Sequence, residues 1–146
     1  MPVFLGLDLG EKRIGVALSD ELGKIAVPFD TWEFKGREAL EKKIRAVMAE
    51  YPVSAVIVGF PMTLKGDAGI AAQKVMKQVE WLKSRIETQW VLWDERMTTA
   101  EVEKLLISAD VSRAKRKDVR DRLAAQRILQ SYLDRQQFLG NQNMGL

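Results

Sequence analysis

Three stretches of the chain put a carboxylate where the surrounding pattern is apolar. Asp8 stands in Val3-Phe4-Leu5-Gly6-Leu7-Asp8-Leu9, Asp94 and Glu95 follow directly on Trp90-Val91-Leu92-Trp93, and Asp121 precedes Ala124, Ala125, Ile128 and Tyr132 at helical spacing. A carboxylate taken out of water costs several kcal/mol unless it is paired or coordinates a cation. Several together repel one another and raise each other's pKa unless a divalent ion neutralises them. Drawn together, such acids could hold two Mg²⁺ or Mn²⁺ ions about 3.5–4 Å apart, which activate a water and stabilise the leaving oxygen of a phosphodiester.

The rest of the composition narrows the chemistry in the same direction. The 146 residues include neither Cys nor His. Disulfides, thiolate-ligated zinc, thiol nucleophiles and imidazole acid–base catalysis are therefore excluded together, and any metal must be one that accepts oxygen ligands. With 47% hydrophobic and 29% charged residues, the chain is neither a disordered nor a fibrous sequence. Its length suits one domain with a real core. The N-terminus reads as a core strand, and no run approaches the ~20 apolar residues of a membrane span. A cytoplasmic protein with no membrane partner is expected.

The elements that must position these acids follow from periodicity. Val3 to Leu9 and Ile14 to Leu18 flank a short Gly-Glu-Lys connection and predict a β-hairpin, with Asp8 near the end of its first strand. Lys24 to Phe34 predicts a third strand at or near an edge, where Pro28 is tolerated. Leu40, Ile44, Val47 and Met48 form the apolar stripe of a helix from Arg37 to Glu50, which Tyr51-Pro52 ends. Ser54 to Gly59 is a β-branched run typical of a strand covered on both faces and reached by a parallel crossover.

Phe60 to Gly69 is a loop, and Val75, Val79, Leu82 and Ile86 predict a helix from Ala71 to Ile86. Trp90 to Trp93 is a further strand. Thr98 with Glu101 reads as a capping box opening a helix through Ala109, Asp110 to Lys117 as a mobile basic loop, and Asp118 to Gln137 as the final helix. Asp121 shares the apolar face of that last helix. Residues 1–138 make one domain and 139–146 a flexible tail. The order predicts an α/β domain with a five-stranded mixed sheet and helices on both faces. If the first and fourth strands are neighbours, the acids converge.

The blocks Gly6-Leu7-Asp8-Leu9-Gly10 with Lys12-Arg13-Ile14-Gly15-Val16-Ala17 and Ser19-Asp20, Gly59-Phe60-Pro61 through Gly66, Asp94-Glu95-Arg96 with Thr98-Thr99, and Asp121 with Ala124-Ala125 closely resemble the YqgF family, also called RuvX. They occur in order and cover nearly the whole chain. The resemblance implies a ribonuclease H-like fold, a cytoplasmic location and a nuclease that matures the 5′ end of pre-16S ribosomal RNA, with Holliday-junction resolution as the older proposal. It also makes Asp8, Glu95 and Asp121 the metal-binding and catalytic acids, with Asp94 as the alternative to Glu95. Sequence leaves that phase open, because the period of two sends one of the pair into the site and the other away. Arg120 and Arg122 flank Asp121 where a buried helix would more usually carry apolar neighbours.

Each of these residues also has a plainer role. Asp8 could cap the hairpin turn, Arg96 could pair with Asp94 or Glu95, Thr98 and Thr99 could cap a helix, and the four Trp residues suit packing. Lys12 and Arg13 are solvated hairpin residues or contacts to a phosphate backbone. The window 110–122 holds six cations, Arg113, Lys115, Arg116, Lys117, Arg120 and Arg122, against three acids. Beside a candidate catalytic acid, Arg113, Lys115, Arg116 and Lys117 together with Lys12, Arg13 and Arg96 suit a nucleic-acid partner, which the family resemblance makes RNA in preference to DNA. A DNA junction resolvase and a non-catalytic nucleic-acid-binding module are the competing classes, and monomer and homodimer both stay open.

Overall fold

The computed structural model describes residues 2–61 and 69–94 and the backbone of 113–145, with side chains in the last segment described for 121–137. Its elements are β1 (Val3–Leu9), β2 (Arg13–Ser19), β3 (Ala26–Glu33), α1 (Arg37–Glu50), β4 (Val53–Phe60), α2 (Ile70–Arg85), β5 (Gln89–Asp94) and α3 (Arg113–Gly145). The strands form one sheet in the order β3-β2-β1-β4-β5. β1, β2 and β3 make an antiparallel meander, while β4 pairs parallel with β1 and β5 parallel with β4. The first and fourth strands are thus neighbours, as convergence of the acids requires.

The period of two divides the sheet into two cores. On one face Leu5, Leu7, Val16, Val56 and Val58 meet α1 and α2 through residues such as Leu40, Ile44, Val79 and Leu82. On the other, Ala17, Ala55 and Ile57 meet Ala125, Ile128, Leu129, Tyr132 and Leu133 of α3. Small residues let α3 lie close. A Cβ on Gly6 would stand 2.8 Å from the Leu129 Cβ and 3.2 Å from the Ala125 carbonyl oxygen.

The expected hairpin, edge strand, parallel crossovers and first two helices are all present. The basic stretch expected as a mobile loop is different from Arg113 onward, where the backbone is already helical. Lys, Arg and Ala are strong helix formers, so a segment without an apolar stripe can extend a helix whose packing lies further along. The helix also continues past Gln137 to Gly145, through residues expected as a tail. The helix expected from Thr98 to Ala109 lies outside the described residues. No helix among the described residues is long and apolar enough to cross a membrane.

Candidate metal centre

Gly15 fixes the geometry of the candidate site. It pairs directly with Asp8 across β1 and β2, so the two residues present the same face of the sheet. That face is the one covered by α3, because Phe4, four residues earlier on the same face of β1, packs its ring edge-on against Tyr132, and Gly6 abuts Leu129. A Cβ on Gly15 would fall 1.8 Å from the Asp121 carbonyl oxygen. The helix therefore rests on the missing side chain of Gly15 and sets Asp121 down beside Asp8.

Arg13, two residues before Gly15 and on the same face, donates from Nε to Asp121 Oδ2 at 2.8 Å. The two side chains are 28% and 18% exposed. Oδ2 is the Asp121 carboxylate oxygen that hydrogen-bonds within the described residues.

Asp94 goes the other way. Trp93 packs edge-on against Tyr132 with ring centroids 5.3 Å apart and donates its Nε1–H to Ser131 Oγ at 3.1 Å, which places Trp93 on the α3 face. Its neighbour Asp94 therefore faces the α1–α2 side, where it is exposed. Glu95 and Arg96 lie outside the described residues. Two of the expected acids are thus brought together, and among the described residues no third carboxylate joins them. The donors fit an oxygen-preferring cation: both are carboxylates, on one face, and the chain has neither imidazole nor thiolate ligands.

Lys12 and Arg13 line a polar cavity of about 620 Å³ together with Arg122, Asp30 and Glu33. Arg122 entered the sequence reading through the charge of its window and as a flank of Asp121, not as a contact to nucleic acid. Its position next to Asp121 was the available signal, since consecutive helical residues diverge by about 100° and one can face the sheet while the next reaches toward β3. A second cavity of about 530 Å³ reaches Asp8 from the α2 side and is lined by Leu9, Phe34, Pro61 and Gln78. Lys74 bridges its mouth to Glu11 at 3.1 Å. Arg113 and Lys117 sit two turns and one turn ahead of Asp121 along α3, with Lys115 and Arg116 between them; the side chains of these four lie outside the described residues.

The family model described as "RuvX: Holliday junction resolvase" matches residues 2–135. The chain belongs to the RuvX family. Among relatives, it is 47% identical over 133 residues to a protein of Thermoanaerobacter pseudethanolicus, covering 90% of this chain and 96% of that one. It is 45% identical over 130 residues to one of Desulforudis audaxviator, covering 89% and 92%. Both bear the name "Putative pre-16S rRNA nuclease". Among solved structures, the RuvX chain resembles the Fowlpox virus resolvase in complex with Holliday junction DNA at a TM-score of 0.56 and 11% identity, covering 90% of this chain and 97% of that one. It resembles Thermus thermophilus RuvC with a Holliday junction at 0.55 and 13%, covering 94% and 96%. At such identities the likeness speaks to the fold, which is ribonuclease H-like.

Proposed function

We propose that this RuvX-family chain is a cytoplasmic, metal-dependent nuclease that hydrolyses phosphodiester bonds in the 5′-end processing of the 16S ribosomal RNA precursor. The observation that carries the reading is the convergence of Asp8 and Asp121 on one face, across Gly15. The name shared by the relatives supports the substrate.

The third acid in this reading is Glu95. Val91 and Trp93 pack on the α3 side, the face that Asp8 and Asp121 share. Asp94 falls on the opposite face. Asp8, Asp121 and Glu95 would hold Mg²⁺ or Mn²⁺. When bound, such ions supply an activated water and charge stabilisation at the phosphorus oxygens. Lys12 and Arg122, on the wall of the adjoining polar cavity, bind and orient the phosphate backbone, with Arg113, Lys115, Arg116 and Lys117 extending the basic track along α3.

The test is single-turnover cleavage of a precursor RNA spanning the 5′ end of 16S, run beside a four-way DNA junction at several Mg²⁺ concentrations. Asp8→Asn and Asp121→Asn should each slow cleavage more than about a hundredfold, the upper end of what losing a mere supporting partner of a metal ligand costs, while RNA affinity is kept. Wild-type rates in Asp8→Asn would sink the assignment. The family description favours one second reading, junction resolution. Preferred cutting of the DNA junction by a dimer in sedimentation would support it. RNA binding without metal-dependent cleavage of either substrate would leave a non-catalytic binding module.

A further inference from the structure

Arg13 was expected either to be solvated or to touch the phosphate backbone, yet its guanidinium is engaged inside the site. We propose that Arg13 is a positioning residue that orients the Asp121 carboxylate and balances its charge, so that a divalent cation approaching the acids is opposed by a fixed cation. The inference rests on the metal-dependent reading above.

Both ends of the contact are anchored independently of it. Arg13 opens β2, its carbonyl accepts the Gly10 N–H at 3.0 Å to close the hairpin loop, and it pairs with Glu33 of β3. Asp121 is fixed by the seating of α3 on Gly15. The ion pair at 2.8 Å joins residues 108 apart in sequence, and its partial burial strengthens it over an exposed pair. Nε binds Oδ2, and among the described residues Oδ1 is the carboxylate oxygen without a hydrogen bond. The carboxylate is thus held in one orientation before any ion arrives.

The other charged groups nearby are Asp8, across Gly15, and Glu11, Lys12, Asp30, Glu33 and Arg122, which line the adjoining cavity. None of them hydrogen-bonds or ion-pairs with Asp121 among the described residues. Arg13 is therefore the cation whose removal changes the Asp121 environment most directly. A fixed positive charge this close weakens cation binding by simple Coulomb repulsion, and the orientation it imposes acts on turnover.

The experiment compares wild type, Arg13→Gln and Arg13→Lys. Without metal, Arg13→Gln should melt about 3 °C lower and Arg13→Lys close to wild type. In calorimetry with Mn²⁺, Arg13→Gln should bind about tenfold more tightly, since it lacks the opposing charge, and Arg13→Lys close to wild type. In single-turnover cleavage the Gln variant should lose maximal rate with half-saturating RNA unchanged, and the salt dependence of RNA binding should stay as in wild type.

The opposite pattern overturns the proposal: unchanged Mn²⁺ affinity with weaker RNA binding and a log–log salt slope reduced by about 0.7 marks a phosphate contact. A double-mutant cycle of Arg13→Gln with Asp121→Asn in metal-free protein gives a separate reading. Absence of coupling there also overturns the proposal. Wild type that neither binds Mn²⁺ nor cleaves would instead overturn the nuclease reading, while the metal-free coupling still reports on Arg13 and Asp121.

Discussion

At Gly15 the residue acts through the atoms it lacks. The obstacle to a side chain there is the Asp121 carbonyl 1.8 Å from the Cβ position, a backbone atom that cannot swing aside as a flexible side chain can. Gly15→Ala should therefore cost about 3 kcal/mol in urea unfolding, the upper part of the usual overpacking range, and metal-dependent cleavage should fall with it as Asp121 is pushed off the sheet. The same substitution at Gly23, where φ is +67° and Phe4 supplies the nearest side-chain atoms, is strained for a different reason, its left-handed backbone. It should lower the melting temperature without touching cleavage. Comparing the two in one cleavage assay separates a glycine that seats the site from one that shapes a turn.

At the scale of elements, two arrangements hold the helices against the sheet. α1 and α2 are tied by Glu41, buried on α1, which accepts from Arg45 Nε at 2.8 Å and Arg85 Nε at 3.1 Å. Arg37 and Arg85 lie over the Trp81 ring at 4.6 and 5.4 Å. The Arg45 hydrogen bond first, then Arg85, holds the Glu41 carboxyl below its ordinary value of 4.5 against the opposing effect of burial. A lowered folded pKa means the stabilisation is complete above pH 4.5 and is lost as pH falls below it through the folded value. Melting temperature against pH should accordingly fall less steeply below pH 4.5 in Glu41→Gln than in wild type.

α3 relies on apolar burial. Ile128 is 1% exposed at its centre, and Ile128→Ala should cost 2–5 kcal/mol in denaturant unfolding. Sequence made α1 legible to its end residues, because an apolar stripe coincides with a proline stop. It made the inward phase of Asp121 legible from Ala124, Ala125 and Ile128. The start of α3 was illegible, since its first turns carry no packing pattern. The phase of Asp94 depends on which face Trp93 packs against, and the Arg13–Asp121 pair joins residues with no local pattern linking them.

Across the whole molecule, β3 forms one edge of the sheet, and an edge strand presents backbone groups to which another chain can pair. Ile25, Val27 and Phe29 are exposed at 58%, 51% and 38% on or beside that strand, which is the composition of an aggregation-prone edge. Two residues blunt it: Pro28 offers no N–H, and the Asp30 carboxylate accepts the Thr31 N–H at 2.8 Å. Pro28→Val combined with Asp30→Ala should raise self-association in light scattering at concentrations where the wild type does not associate.

The seating of α3 across β2 also orders events in time. Arg13 and Asp121 are 108 residues apart, so during synthesis at 5–20 residues per second the second half of the pair follows the first by roughly 5–20 s. The hairpin carrying Asp8 can form well before then, but the acids cannot gather until the C-terminal helix is made. A growing chain tethered to a ribosome thus lacks the Arg13–Asp121 pair until its last helix is made, and a chain broken off before residue 121 never acquires it.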